Sequence, residues 1–226
     1  MRRYDESGVE LALCAAGLEK SYGHAAGVGP VDLEIPAGQA VVLVGHNGSG
    51  KSTFLGMAAG VLEPTAGDVE VFGVEPTSLT GRATVSYLPD TPVLYDDLSV
   101  REHLQYVSRM HGAEGDEPEL DELLDKVGLS HRADELPSRF SRGLRQRTAI
   151  AVALCRPFSL LLVDEPFVGL DADGRDAFVA LLDETRRRGA TVVVATHDPS
   201  RLEHFERCVT LSDAQLVSDG PVGASR

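Results

Sequence analysis

The chain has 226 residues and a formal net charge of −14, with 42% hydrophobic and 25% charged residues. This composition is that of an ordinary folded domain and excludes a chain that is disordered throughout. The acidic balance disfavours nucleic acid as a partner, because nucleic-acid binding relies on a basic surface that neutralises phosphates. No run reaches the roughly 20 apolar residues that a membrane-spanning helix needs, and we expect no signal peptide at the start. The three widely spaced cysteines fit reduced thiols in the cytoplasm better than a zinc site or a disulfide framework.

Three apolar runs predict strands of a parallel sheet. They cover residues 40–44, 160–163 and 191–195, and their apolarity is continuous rather than alternating. Continuous apolarity indicates strands that are buried on both faces, as in a sheet covered by helices. Polar residues follow each run, and open α/β sheets bind their ligands beyond the carboxyl ends of the strands. The sequence therefore predicts an α/β fold with one shared site at that edge.

The segment 89–156 has the pattern of helices inserted between these strands. Ser99 and Glu102 form a capping box, a second helix opens at Pro118, and a third follows Gly143. Each start has a polar or proline residue before apolar residues at helical spacing.

The segment Gly-His-Asn-Gly-Ser-Gly-Lys-Ser at residues 45–52 follows the first apolar run and fits the pattern G-x-x-x-x-G-K-[ST]. Glycines let the backbone curl so that its N–H groups surround phosphate oxygens, and the next helix adds its positive end. Lys51 would reach the β- and γ-phosphates, and the Ser52 hydroxyl is placed to bind Mg²⁺. A chance match has a probability on the order of 1% in a chain of this length. The other expected nucleotide contacts of this loop are Gly45, Asn47, Gly48, Ser49, Gly50 and Thr53.

An Asp-Glu pair at residues 164 and 165 ends the second apolar run. In P-loop enzymes an aspartate at a strand end helps to hold Mg²⁺, so Asp164 is a metal candidate. Glu165 is then placed to act as the general base toward the attacking water. An isolated Asp-Glu pair is more often a solvated turn, but the preceding strand and the P-loop favour a functional pair.

Taken in order, these motifs resemble those of the ATP-binding cassette (ABC) ATPases over nearly the whole chain. The resemblance implies an α/β P-loop NTPase (RecA-like) core with a parallel-rich sheet, an N-terminal antiparallel β portion and an inserted α-helical subdomain. It also implies one ABC ATPase domain over residues 1–226. The nucleotide-binding core would comprise 1–88 and 157–226, and the helical subdomain 89–156.

The same resemblance assigns further site residues. Tyr22 matches the aromatic residue that stacks on adenine, and Ser141 and Gly143 match the signature segment that contacts ATP held by a second cassette. Asp171, in Val-Gly-Leu-Asp, matches the loop along the interface between cassettes, and His197, which precedes Asp198, matches the histidine near the γ-phosphate. Without the family pattern, these residues would be a half-buried tyrosine, two helix caps and a structural histidine.

Three positions depart from the family pattern. Arg142 and Leu144 stand in the signature segment where the family has glycine and glutamine. Asp90 stands where the family has a glutamine that contacts Mg²⁺ and water. An ionised aspartate only accepts hydrogen bonds, so we expect Asp90 to sense the metal without donating to water or phosphate.

The resemblance implies a function as well. It predicts an ATPase that uses ATP and Mg²⁺ and works as a head-to-tail dimer, with itself or with a second ATPase subunit. Its partner would be a transmembrane permease, docked through the helical subdomain, and the chain itself would be cytoplasmic, bound peripherally to the cytoplasmic face of the cell membrane. The segments at Tyr87–Pro89 and Tyr95–Glu102 are most similar to subunits of multidrug- or lipid-type exporters.

Two alternatives remain open from the sequence. One is an ABC ATPase that acts on the ribosome or DNA, and the other is a regulatory ATP binder with weak turnover. The second predicted helix is also strongly acidic, which favours a solvated face over a site for a basic loop of the partner. Its acidic residues are Asp116, Glu117, Glu119, Asp121, Glu122 and Asp125.

Overall fold

The computed structural model of the protein describes residues 3–5, 7–23, 25–113, 117–197 and 204–223. Asp116 and Asp198, named above, lie outside these ranges. The chain divides into two compact units. The sheet unit comprises Met1–Pro89, Phe158–Glu165 and Thr185–Arg226, and the helical unit comprises Asp90–Pro157 and Pro166–Glu184.

The elements follow one another in mixed order along the chain. The first part contains β1 (Leu11–Tyr22), β2 (Ala25–Pro36), β3 (Ala40–Val44), α1 (Lys51–Ala58), β4 (Ala66–Val71), α2 (Leu79–Thr84) and β5 (Val85–Leu88). The middle part contains α3 (Val100–Met110), α4 (Glu117–Lys126) and α5 (Arg142–Leu154). The last part contains β6 (Leu160–Asp164), α6 (Ala172–Arg187), β7 (Thr191–Thr196), β8 (Arg207–Ser212) and β9 (Gln215–Pro221).

The larger sheet of the sheet unit has the strand order β5-β6-β7-β3-β8-β9. Its neighbouring strands are parallel except for β9, which pairs antiparallel with β8. The three apolar runs of the sequence form β3, β6 and β7, which lie side by side. Their carboxyl ends therefore meet at one edge, as the sequence predicted, and the polar residues after them are brought together.

A separate antiparallel sheet has the order β2-β1-β4 and accounts for the expected N-terminal β portion. Helix α1 packs between the two sheets' apolar residues, because Phe54 and Leu55 are fully buried in the same core as Leu18, Leu43 and Leu162. Burying a side chain of this size stabilises the fold by roughly 2 kcal/mol, so α1 is held firmly at the end of β3.

The helical unit contains the three helices that the sequence predicted. The capping box at the start of α3 is present, since the Ser99 hydroxyl accepts from the Glu102 amide and the Glu102 carboxylate accepts from the Ser99 amide. These hydrogen bonds hold the pKa of Glu102 below its usual value. On α4 the apolar residues Leu120 and Leu124 are buried. The acidic residues Glu119, Asp121, Glu122 and Asp125 are exposed, as expected for a solvated face. No helix in the described part of the chain is long and apolar enough to cross a bilayer.

Candidate functional site

The loop between β3 and α1 has the backbone form that its glycines require. Gly50 has a φ of 105°, and a Cβ at this position would lie 2.7 Å from the carbonyl oxygen of Gly27. At Gly45 a Cβ would lie 2.3 Å from the carbonyl oxygen of Leu211. The loop is thus packed so closely against neighbouring backbone that a side chain at either position would displace it.

The first turn of α1 presents backbone amides at the end of this loop. The amide of Phe54 donates to the Gly50 carbonyl, 2.8 Å away, and this is the first i to i−4 hydrogen bond of the helix. The amides of Lys51, Ser52 and Thr53 therefore belong to the helix end, where N–H groups and the helix dipole favour an anion. Ser52 is exposed there, as are Asn47 and Gly48 of the preceding loop.

The Lys51 side chain is buried, with only 5% of it exposed. Its ammonium donates to the carbonyl oxygens of Gly45 (2.8 Å) and His46 (3.2 Å) and lies 3.6 Å from Oε1 of Glu165. A buried cation needs such partners, because an unpaired ammonium in the protein interior loses its hydration. These contacts hold the charge inside the curve of the loop.

Glu165 follows β6 directly and has an unusual backbone. Its φ is 47°, in the left-handed region that costs a non-glycine residue about 1–3 kcal/mol. Hydrogen bonds hold it there: its amide donates to the Ala195 carbonyl (2.9 Å), and its Oε2 lies 2.8 Å from Nδ1 of His197. The amide of His197 also donates to Oε2, at 3.4 Å. The conformation aims the carboxylate across the strand ends, with Lys51 on one oxygen and His197 on the other.

Asp164 ends β6 with 1% of its surface exposed, and it pairs in register with Ala195 of β7. Its carboxylate and the Ser52 hydroxyl are hard oxygen donors of the kind that Mg²⁺ prefers. Within the described ranges, no group of three His, Cys, Asp or Glu side chains is arranged to hold a metal by itself. The donor set fits Mg²⁺ bound by a few protein oxygens together with phosphate oxygens, which is how nucleotide sites hold this ion.

Tyr22 is the last residue of β1, and 52% of it is exposed. Its ring lies against Gly27, where a Cβ would come within 2.5 Å of the ring carbon Cε2. The ammonium of Lys20 lies 5.6 Å from the ring centroid. Gly27 and Lys20 therefore lie beside the ring, which is still exposed enough to stack on a planar group.

The helical unit holds the remaining expected site residues. Ser141 caps α5 by accepting a hydrogen bond from the Leu144 amide (3.4 Å), and a Cβ at Gly143 would lie 2.6 Å from the Gly169 carbonyl oxygen. Asp171 caps α6 through the Gly174 amide (3.0 Å). Asp90 is exposed at the first position of this unit.

Several residues without a role predicted from the sequence contact this set. Lys20 and Gly27 support Tyr22, and Arg147 donates to Asp171 at 2.5 Å. The buried Gln146 amide donates to the Pro166 carbonyl at 3.3 Å. The arginine two turns after the signature serine was visible in the sequence, but the partner of its side chain was not.

Comparisons with known proteins show the family to which the chain belongs. The family described as "ABC transporter" matches residues 28–168, more than half of the chain. An aliphatic sulfonates import ATP-binding protein of Pseudomonas putida is 37% identical over 93% of this chain and 74% of its own length. A macrolide export ATP-binding/permease protein of Yersinia pestis is 32% identical over 84% of this chain and 30% of its own.

A solved structure is similar over the same extent. It is an ATP-binding cassette in a dimeric, post-hydrolysis state with ADP and phosphate, with a TM-score of 0.84 and 27% identity over 93% of this chain and 98% of that one. The family match, the relatives and the shared fold lead to one assignment. The chain belongs to the ABC transporter family and is an ATP-binding subunit that hydrolyses ATP.

Proposed function

We propose that the chain hydrolyses Mg-ATP with Glu165 as the general base and drives transport through a separate membrane subunit. The observation that carries the catalytic part is the Glu165 carboxylate, which lies between the Lys51 ammonium (3.6 Å) and the His197 ring (2.8 Å). Phosphoryl transfer needs mainly positioning and charge neutralisation, and this arrangement supplies a cation, a base and an orienting ring.

Each residue of the site has a defined task in this proposal. The N–H groups at the start of α1 and the Lys51 ammonium bind the phosphates, and the exposed Tyr22 ring stacks on adenine. Ser52 and Asp164 would hold Mg²⁺, which neutralises phosphate charge when it is bound. Glu165 accepts the proton of the attacking water, and His197 fixes the carboxylate from its other side.

The proposal also includes a dimer. The similar solved cassette is dimeric, and an exposed Ser141 at the start of α5 offers a helix N-terminus to an anion from outside the chain. We propose that ATP on the P-loop of one cassette contacts Ser141 and Gly143 of the other, head to tail, with Asp171 at the interface. The second cassette is a copy of this chain or a different ATPase subunit.

The membrane partner is a transmembrane permease, reached from the cytoplasmic face of the membrane. Two relatives, one named as an import ATP-binding protein and one as an export ATP-binding/permease protein, support this partner. The helical subdomain, residues 89–156, is the segment that we propose docks it. All three cysteines are free thiols, in agreement with a reducing compartment.

Relatives of this chain include both an import and an export protein, so family membership leaves the direction open. We propose export, on the resemblance of the segments around Tyr87–Pro89 and Tyr95–Glu102 to those of exporter subunits. The direction is tested by reconstituting the permease with this chain in liposomes and measuring which way the cargo crosses the membrane. The side that contains ATP corresponds to the cytoplasm, so cargo movement away from that side is export and movement toward it is import.

The function is tested with the Glu165→Gln variant, which keeps the shape of the side chain and removes its basicity. We expect ATP to stay bound while turnover falls at least about 100-fold, the lower range for the loss of a general base. Glu63→Gln, an exposed glutamate of the sheet unit, is the matched control and keeps normal turnover. Near-normal turnover by Glu165→Gln would contradict the assignment of the base.

The same variant identifies the partner. Tagged Glu165→Gln is trapped with ATP and Mg²⁺, extracted from membranes in mild detergent and analysed for what co-purifies. A polytopic membrane protein that co-purifies in stoichiometric amount supports the proposed role in transport. A second ATPase subunit in the same complex would show that the dimer contains two kinds of chain, and its absence would show one kind. Ribosomal proteins or nucleic acid without a membrane partner would overturn the proposed role at the membrane.

A further inference from the structure

The guanidinium of Arg147 lies between three segments of the helical unit. Arg147 is on α5, its Nη1 donates to the carbonyl oxygen of Val127 after α4 (3.0 Å), and its Nη2 donates to Oδ1 of Asp171 before α6 (2.5 Å). Only 17% of the side chain is exposed. One side chain therefore joins α5 to the end of α4 and to the start of α6.

Two glycines make room for this guanidinium. A Cβ at Gly128 would lie 2.7 Å from Nη1, and a Cβ at Gly174 would lie 3.0 Å from Nη2. Contacts under about 3 Å are incompatible with normal packing, so a larger residue at Gly128 would push the guanidinium away. The position of Arg147 is consequently defined by backbone on both sides and by two hydrogen bonds.

The same oxygen of Asp171 has two tasks. Oδ1 accepts from Arg147 and also from the amide of Gly174 (3.0 Å), which caps α6. The hydrogen bond from Arg147, followed by that from the Gly174 amide, holds the pKa of Asp171 below its usual value. Yet 70% of the Asp171 side chain is exposed. The carboxylate is thus fixed in direction while its other face stays open to solvent.

The loop of residues 166–171 is held against the start of α5 at further points. Gln146 donates to the Pro166 carbonyl, and Gly143 fits closely against the Gly169 carbonyl. The stem of Arg142 lies over Gly169, where a Cβ would come within 3.1 Å of Cγ. The start of α5 and this loop therefore form one packed block, which we call the α5–loop block.

We propose that Arg147 is a positioning residue for ATP hydrolysis in the dimer. Through Asp171 it sets the 166–171 loop relative to Ser141 and Gly143, so that the α5–loop block meets the second cassette as one surface. This inference rests on the proposed dimer. Arg147 touches no nucleotide in this scheme, and its effect passes through Asp171.

Arginine suits this position better than lysine. The planar guanidinium directs separate N–H groups at Val127 and Asp171, whereas an ammonium is a point charge on a flexible stem. An ammonium would reach one of the two acceptors well and leave the other poorly bound. Arg147→Lys is therefore expected to behave more like a loss of the side chain than like a conservative change.

The first test is a double-mutant cycle in the ATPase assay, with Arg147→Met, Asp171→Asn and the double variant. Asparagine is as good a helix cap as aspartate, so Asp171→Asn removes the ion pair and keeps the cap of α6. We expect each single variant to lower kcat about tenfold with little change in the KM for ATP, and the double variant to be no worse than about twofold below them.

Lys126→Met is the matched control. Lys126 joins α4 to α6 through Glu184 (2.8 Å) in the same unit, and its ion-pair partners, Glu122 and Glu184, lie outside the α5–loop block. We expect its kcat to remain within about twofold of the natural chain, because it loses a comparable ion pair away from the block. A control that loses as much kcat as Arg147→Met would overturn the proposal.

Hydrogen exchange supplies a readout that is independent of activity and of the dimer. In nucleotide-free protein, Arg147→Met should speed exchange at the Gly174 amide, whereas Lys126→Met should not, because only Arg147 holds the Asp171 oxygen that caps it. Unchanged exchange at Gly174, or additive effects in the cycle, would overturn the positioning role. If the natural chain showed no dimer and no turnover, the proposed function would fail, while the exchange data would still decide whether Arg147 holds Asp171 in place.

Discussion

The two units differ in how they hold their charged site residues. In the sheet unit, Lys51 and Asp164 are buried and Glu165 is fixed by bonds to its own unit. In the helical unit, Asp90, Ser141 and Asp171 are exposed. The three positions that depart from the expected ABC motifs, Asp90, Arg142 and Leu144, are all in the helical unit. The charged groups of the sheet unit are held by contacts within the chain, whereas the exposed groups of the helical unit are open to solvent, where the proposal gives them a metal or a second cassette to meet.

The buried side of this comparison predicts the largest effect. Replacing Lys51 with methionine keeps the length of the stem and removes the ammonium that lies 3.6 Å from Oε1 of Glu165. We expect ATP hydrolysis to fall about 100- to 1,000-fold, the range for the loss of one charge-stabilising group. Binding of a fluorescent ATP analogue should weaken in parallel.

The control for Lys51 is Lys126→Met, an equal change in the helical unit. It should keep both ATP binding and hydrolysis, since Lys126 contacts only Glu122 and Glu184 among the described ion pairs. If Lys51→Met kept its ATP hydrolysis, the buried ammonium would not be needed for catalysis. The contrast between the buried site residues of the sheet unit and the exposed ones of the helical unit would then lose its main functional support.

Sequence patterns predicted the sheet unit well for a physical reason. Strands buried on both faces must be continuously apolar, so β3, β6 and β7 were recognisable as apolar runs. In the helical unit, the capping box likewise predicted the start of α3. The short α2 and the edge strand β9, with exposed alternate residues, lack such a signal. The antiparallel sheet was expected only from the family resemblance.

Sequence motifs suggest the residue types of the candidate site but not the contacts between them. The P-loop and the Asp-Glu pair are recognisable from residues that lie close together in the sequence, and their residue types indicate their chemistry. The left-handed backbone of Glu165, the support of Tyr22 by Gly27 and the reach of Arg147 to Asp171 depend on residues far apart in sequence. Local patterns carry no information on such contacts, which arise from packing.

An intermediate effect is expected at Asp90, the exposed departure. If this carboxylate senses the metal, Asp90→Ala should raise the Mg²⁺ concentration for half-maximal hydrolysis about tenfold, as the loss of a supporting group around a metal does. Asp90→Gln restores the family residue and should keep turnover. The measurement is ATPase rate against Mg²⁺ at fixed ATP.

Asp96→Ala, an exposed carboxylate in the same segment, is the control for Asp90 and should leave the Mg²⁺ dependence unchanged. An unchanged Mg²⁺ dependence and turnover in Asp90→Ala would show that the exposed departure has no part in the metal site. The comparison would then be sharper, since all metal chemistry would lie in the sheet unit.

The smallest effect concerns a buried group of the helical unit that no proposal uses. Burial raises the pKa of the Cys155 thiol to about 12, above its ordinary 9.0. Because the folded state favours the neutral thiol, the thiol's contribution to the free energy of unfolding is fully present below pH 9 and is lost as pH rises toward 12. The loss is about 1 kcal/mol at pH 9.5.

Between pH 7.5 and 9.5, the Tm of the natural chain should therefore fall about 2–4 °C more than that of Cys155→Ala. Cys208→Ala is the control, because burial raises the pKa of the Cys208 thiol while a hydrogen bond with Thr210 lowers it, and it should differ less from the natural chain. Equal falls in Cys155→Ala and the natural chain would mean that water reaches the thiol, and that the helical unit is less tightly packed inside than its buried Leu104 and Leu124 indicate.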